Sequence, residues 1–478
     1  MGIGIALLAA VVALAAVVLL RAMAFRPKEQ IRPEGSEISF DAEAAVKALQ
    51  SLVRCRTVSH ADPSQEDEKE FEKLLGLLPE LYPAVFAACE YMCLPDRALL
   101  LRWKGKACDA PGVMMAHYDV VPVDESGWEK PPFAGIIEDG VLWGRGSLDT
   151  KVTLNGVLSA ADALIREGFI PEQDVYFAFS GGEEVAGKGA VRIVEWFKGI
   201  GIVPALVLDE GGAVVEGVFP GLKAPCGLIG IAEKGSINAV FSVRSEGGHA
   251  SAPKPRTPLG ILARACCRLE KKPFPLHITK PAAEMFDTLG RHCSFAYRLL
   301  FANLWLFRAP LDLLCRKTGG ELNALLRTTV ALTQAEGSEA ANVIPTKASM
   351  TANLRLNPRD SVSSALERLR RIIADPAVEV RAASGTEPSP ISETNCPAWD
   401  KVVAAVADTW PGCIVSPYLM VQCSDSRHYR DLSNHVYRFS AMAMTGEERA
   451  SVHGNNERIR VEAIGRAVEF YIRLLRRC

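Results

Sequence analysis

Five short stretches carry residues able to do metal chemistry. VMMAHYD (113–119) ends an apolar run on His117, with Asp119 two residues on, and GRGSLDTK (144–151) puts Asp149 after a glycine-punctuated turn. FSGGEE (179–184) supplies the pair Glu183 and Glu184, ALVLD (205–209) ends on Asp209, and VHGNNE (452–457) holds His453. Imidazoles and carboxylates are ligands of zinc, and two close divalent ions need a bridging carboxylate to offset their repulsion. Asp149, in a loop that opens a helix, suits the bridge; His117 with Asp209 would complete one ion, and Glu184 with His453 the other. Glu183, pointing differently on its loop, is left to take a proton from the water between the metals. Asp119 can accept the proton of the second ring nitrogen of His117 and fix its orientation. The charge of two zinc ions exceeds that of the three ligand carboxylates, and the surplus would stabilise a hydroxide and the tetrahedral oxyanion it forms.

These residues need a scaffold that gathers them. Leu99 to Trp103, Gly112 to His117, Asp174 to Ser180 and Ala205 to Asp209 read as strands, and Val152 to Ile165 and Ala190 to Phe197 read as helices. Such alternation predicts an α/β sheet covered by helices, with ligands bound beyond the carboxyl ends of the strands, where His117, Glu183, Glu184 and Asp209 stand. From Ser236 the pattern changes to strand (236–245), helix (258–269), two strands (328–335 and 348–356), helix (361–373) and a last strand, VEVRAA. That order is the ferredoxin-like βαββαβ unit. The chain therefore divides into a catalytic domain in two parts, 41–235 and 385–478, around an inserted domain at 236–384. Within the insertion, 274–327 is too long for a plain connection; its runs FAYRLLFANLWLF and LDLLCR predict two apolar helices that either pack as a hydrophobic insert or rest on lipid. In the second catalytic part, 398–410 and 457–477 read as helices and 436–442 as a strand.

At this point the sequence resembles the dizinc peptidases and acylases that include aminoacylase, succinyl-diaminopimelate desuccinylase and carboxypeptidase S. The resemblance covers residues 40 to 478 and rests on AHYDVVPV with WEKPPF, GRGSLDTK, FSGGEE, LDEGG, GGHAS, NVIP, SDSRHY and HGNNE, in family order. Carboxypeptidase S and the hydrolases and synthases of N-fatty-acyl amino acids look most similar, given Asp209, the AEKGS run (232–236) and the long apolar insert. The resemblance implies a catalytic domain with a mixed central sheet and an inserted lid and dimerisation domain. It implies two zinc ions per subunit, replaceable by cobalt or manganese, on His117, Asp149, Glu184, Asp209 and His453, with Glu183 as general acid and base. It further implies that His249 of GGHAS stabilises the oxyanion, in many members from the partner subunit of a homodimer, and that Asn342 and Arg355 hold the substrate carboxylate. Ser424 stands where relatives carry Thr and would keep its hydrogen bond to substrate, while Cys423 replaces a small residue. The expected reaction is cleavage of the amide bond of an N-acyl amino acid or of a small peptide with a free carboxylate. The alternatives are an N-fatty-acyl amino acid hydrolase/synthase and, outside enzymes, a silent membrane-tethered binding protein.

Composition agrees with a small-molecule substrate: 54 basic against 56 acidic residues leave a net charge of -2, without the basic surplus that a nucleic-acid partner demands. The 13 cysteines follow neither a metal-knuckle spacing nor a disulfide framework, which fits a reducing compartment. Residues 1–22 are apolar up to Arg21 and long enough to cross a bilayer once. Arg21, Arg26 and Lys28 follow the apolar run, which favours an uncleaved single-pass anchor with the enzyme on the cytoplasmic side, joined to the body by a linker at 23–40.

Overall fold

The computed structural model describes residues 2–28, 35, 37–219 and 221–478. Its first large element is an eight-stranded mixed sheet, in the order Glu90–Leu94, Ala98–Trp103, Gln173–Ser180, Ala107–His117, Leu206–Val215, Val436–Met444, Cys226–Glu233 and Ile414–Met420. Ala107–His117 runs parallel to both Gln173–Ser180 and Leu206–Val215, so three adjacent strands open their carboxyl ends into one crevice. Helices Ala42–Val53, Lys151–Arg166 and Val461–Leu475 cover one face and bury Leu49, Leu52, Val157, Val468 and Tyr471. Asp41 caps the first of these by accepting a hydrogen bond from the Ala44 amide at 2.9 Å. On the other face, helix Gly189–Ile200 packs Ile193 and Phe197 on Val113, Tyr176 and Val207.

A second, fully antiparallel sheet has the order Thr329–Glu336, Lys347–Leu356, Gly235–Arg244 and Glu379–Thr386. Helices Pro258–Lys271 and Val362–Ile373 bury Leu262, Leu269, Leu369 and Ile373 on it. The four strands of this sheet and the two helices packed on it follow the order βαββαβ, with the short pair Gly248–His249 and Val343–Ile344 and four further helices inserted between them.

Several elements differ from the sequence reading. The stretch 274–327 holds four helices, Lys280–Gly290, Phe295–Ala302, Leu304–Thr318 and Gly320–Leu326. They pack on the far end of the eight-stranded sheet: Met285, Phe286, Leu289 and Leu311 join Leu228, Tyr418 and Leu419 in one core. Cys226–Glu233 and Ile414–Met420 are strands that the sequence pattern disguises, since glycines interrupt the first and Pro417 the second; Ile414–Met420 lies at the sheet edge, where a missing amide is tolerated. The closing helix begins at Val461 rather than at 457, since Arg458–Arg460 pairs with Val141–Trp143 as a short strand. At the amino end, helix Gly2–Ala24 is long and apolar enough to span a bilayer. The expected linker at 23–40 lies partly outside the described residues; of the rest, Phe25 packs under the Arg291 guanidinium and Lys28 pairs with Asp287 at 2.8 Å.

Candidate active site

His117 ends its strand 2 % exposed, and its Nδ1 contacts the Asp119 backbone oxygen at 3.0 Å and the Asp119 carboxylate at 3.3 Å. That leaves Nε2 turned into the crevice, 3.1 Å from Asp149 Oδ1. Asp149 stands just before helix Lys151–Arg166, and its other oxygen, Oδ2, lies 2.9 Å from His453 Nε2. His453 sits in a left-handed backbone conformation (φ 59°) after helix Gly446–Ser451 and also meets Glu184 Oε1 at 3.1 Å. One carboxylate thus joins two imidazoles, one through each oxygen. His117, Asp149 and Glu184 bring ligand atoms within 4.8 Å of one another, as do His117, Glu183 and Glu210.

The fifth expected ligand is differently placed. Both oxygens of Asp209 are occupied by backbone amides, Oδ1 by Glu210 at 2.9 Å and Oδ2 by Ser426 at 2.8 Å. Neighbouring residues of a strand face opposite sides. Here Glu210 turns to the crevice, with Oε1 3.2 Å from His117 Nε2, in the place expected for Asp209. Glu210 was legible only as the acidic neighbour within LDEGG; which of the two faces inward depends on the sheet.

Asp119 does more than orient a ring. Its carboxylate accepts the Glu183 amide at 3.1 Å, the Glu184 amide at 3.2 Å and the Ser59 hydroxyl at 2.8 Å, fixing the one-turn helix Glu183–Val185 at the mouth of its strand. Arg427 of SDSRHY, unassigned from sequence, lies with Nη1 3.6 Å from Glu183 Oε1 and is held by the Ser424 carbonyl at 2.8 Å. Glu457, likewise unassigned, is fully buried and receives the amides of Gly146, Leu148 and Asp149 together with the Arg145 guanidinium.

The electrostatics report more buried carboxylate than cation. Burial raises the Glu183 pKa well above the carboxylate range, reinforced by Asp425, Glu210 and Glu184 and opposed by His117. Burial, with Asp149 beside it, pushes Glu210 up to about 8, and burial with Asp425 pushes Asp209 up to about 6. Burial works against ionised Asp149 too, but hydrogen bonds from His117 and His453 outweigh it and hold the group far below its ordinary value. His453 rises to about 10 through its bonds to Asp149 and Glu184.

Of the remaining expected residues, Arg355 lies on the second sheet, His249 and Asn342 at the short pairing of Gly248–His249 with Val343–Ile344, and Ser424 after the edge strand Ile414–Met420 of the first sheet. Exposed His249 accepts the Ser251 amide on Nδ1 at 3.1 Å, so its proton sits on Nε2 and can be donated. The Asn342 carbonyl accepts the Ala250 amide at 2.9 Å, tying NVIP to GGHAS. Arg355 Nη1 reaches Cys423 Sγ at 3.3 Å, next to the catalytic crevice. Ser424 is buried, and its amide and hydroxyl both bond Glu233 Oε2 at 3.1 Å, so its hydroxyl is held inside the protein rather than offered to a substrate.

The model of peptidase family M20/M25/M40 matches residues 113–477, a span that contains His117, Asp149, Glu183, Glu184, Glu210 and His453. The chain belongs to that family. A probable carboxypeptidase S-like 2 of Dictyostelium discoideum is 34 % identical over 464 residues, 94 % of this chain and 89 % of its own. The N-fatty-acyl-amino acid synthase/hydrolase PM20D1 of Xenopus tropicalis is 35 % identical over 438 residues, 90 % and 85 % of the two chains. Among solved structures, the M20 metallo-carboxypeptidase Sso-CP2 of Sulfolobus solfataricus shares the fold with a TM-score of 0.66 at 18 % identity, covering 90 % of this chain and 98 % of its own. The resemblance read from the motifs holds at the level of the family, and the chain is a hydrolase of amide bonds.

Proposed function

We propose that this chain is a membrane-anchored dizinc hydrolase that cleaves the amide of N-acyl amino acids or small peptides bearing a free carboxylate. The observation that carries the reading is Asp149, whose two oxygens address His117 and His453 from one carboxylate at 3.1 and 2.9 Å. The donor set fits two divalent ions: Asp149 would bridge, His117 and Glu210 would complete one, and Glu184 and His453 the other. When bound, the ions supply the positive charge that acidifies a water and polarises the scissile carbonyl.

The protein's own residues do the rest. Glu183, held by the Asp119 carboxylate through its amide and standing beside His117 in the crevice, takes a proton from the attacking water and delivers it to the departing nitrogen as the C–N bond breaks. Asp119 holds the Glu183 and Glu184 amides so that base and ligand face different ways from adjacent positions. His249, with its donor on Nε2, stabilises the oxyanion when the second domain closes or a second subunit presents it; Arg355 and Asn342 take the substrate carboxylate. A long acyl chain is favoured by the kinship to proteins named for N-fatty-acyl amino acids and by the apolar helices beside the sheet. The binding-protein alternative has no support in a site where base, bridge and imidazoles are all present.

Metal analysis paired with a hydrolysis screen of N-acyl amino acids against dipeptides tests this. Glu183→Gln is expected to keep two zinc ions and lose turnover by about 100-fold or more, whereas Asp149→Asn is expected to lose both ions. Glu210→Gln should release one ion, and Asp209→Asn should retain both. Normal turnover by zinc-loaded Glu183→Gln would overturn the mechanism.

A further inference from the structure

Helix Leu304–Thr318 has two unlike sides. Leu311 and Cys315 are buried in the core shared with the eight-stranded sheet. On the other side, Trp305, Leu306, Leu313 and Leu314 stand 57, 38, 56 and 51 % exposed, an apolar strip with solvent-facing Arg316 and Lys317 at its carboxyl end. A mixed strip of Trp and Leu bordered by cations is the pattern of a helix lying in a bilayer interface, with its basic residues at the headgroups.

The same helix adjoins the point where the apolar amino-terminal helix meets the body. The Asn303 side chain donates to the Val18 carbonyl at 3.1 Å, and the Arg21 guanidinium donates to the Ala302 carbonyl at 3.1 and 3.0 Å. Val18 and Ala22 are buried in that contact, whereas Ile3, Leu7, Val11 and Leu20 remain widely exposed. The exposed strip therefore begins at Trp305, two residues from the Asn303 contact with Val18. A helix entering the lipid here brings Trp305 and Leu313 to the same boundary.

We infer that helix Leu304–Thr318 docks on the bilayer surface that the amino-terminal helix enters, giving the enzyme a second contact with the membrane. The partner is a lipid surface carrying anionic headgroups. This rests on the reading of helix Gly2–Ala24 as membrane-inserted. Two contacts instead of one fix the orientation of the catalytic domain, and they bring the insert to the place where an amphiphilic N-acyl amino acid partitions.

The test uses the full chain in vesicles of phosphatidylcholine with a minority of phosphatidylglycerol. A photoreactive benzoylphenylalanine is placed at position 313 or, as a control, at Tyr91, 55 % exposed on the edge strand Glu90–Leu94. Expected are flotation with the vesicles and phospholipid adducts severalfold more abundant at 313 than at 91. Quenching of the protein's fluorescence by brominated lipid should also shrink in Trp305→Phe, a change too mild to unfold the helix. A chain that floats but gives equal adducts at the two positions, or a protein–protein adduct at 313, overturns the docking and leaves the anchor standing. Failure to float overturns the anchor and the docking with it.

Discussion

Replacing Glu457 by Gln tests whether the loop that carries Asp149 is held by a single buried carboxylate. Its Oε2 accepts Arg145 Nη1 at 2.6 Å and the Gly146 amide at 3.1 Å, and its Oε1 accepts the Leu148 and Asp149 amides at 2.7 and 3.2 Å. Glu457→Gln keeps the shape but turns one acceptor into a donor. Whichever way the amide is flipped, two N–H groups then face an NH2. A buried donor without an acceptor costs about 1–3 kcal/mol, and a buried ion pair deprived of one charge costs about 3–5 kcal/mol. Arg145 retains the Gly454 carbonyl at 2.8 Å, which limits its loss, so the expected total is about 3–5 kcal/mol. The loop ends on Asp149, the proposed bridge between the ions, so this cost should appear as lost metal as well as lost stability. Urea denaturation and metal analysis of the same samples measure both. The double variant Arg145→Met with Glu457→Gln, which leaves no unpaired buried charge, should be less destabilised than Glu457→Gln alone. An unchanged urea midpoint with two ions bound in Glu457→Gln would refute the reasoning.

Lys234 is 1 % exposed and donates to the Ala324 and Arg327 carbonyls, both at 2.8 Å; burial, aided by Arg355, pulls its pKa down to about 7 from 10.5. The unfolded chain therefore binds more protons between those values, so the stability of the protein relative to Lys234→Met should rise with pH above about 7, by up to about 1.4 kcal/mol per pH unit. Denaturation of both proteins across that window checks it, and a flat difference would contradict it. A Cβ on Gly212 would lie 1.8 Å from the Leu228 carbonyl oxygen, a backbone atom that cannot swing aside, so Gly212→Ala should cost about 3 kcal/mol or more. Gly76, exposed within helix Glu68–Leu81 with nothing near its Cβ position, should by contrast gain about 0.5–1 kcal/mol as Gly76→Ala. Thermal denaturation of the two variants separates the effects.

Much of this molecule is local and so legible from the chain. Strand and helix periodicity give the α/β catalytic sheet and the βαββαβ unit, because alternation at two or 3.6 residues follows from which side of an element is buried. The same periodicity ends an apolar strand on His117 and another just before Glu183, which is enough to suggest a metal crevice. Position along the chain does not say which way a side chain turns. Asp209 and Glu210 differ by one residue, and the choice between them falls to the Ser426 amide, more than 200 residues away, which holds the Asp209 carboxylate. Glu457 sits 308 residues from the Asp149 amide that it accepts, and no local pattern marks it. The apolar segment 274–327 is recognisably helical, but its seat on Leu228, Tyr418 and Leu419 depends on strands that glycine and proline disguise. Residue types and local periodicity settled the family of chemistry and the two sheets. Packing between distant segments, which sets the facing of each strand and the donors left for each carboxylate, decided which acid meets His117 and what holds the Asp149 loop.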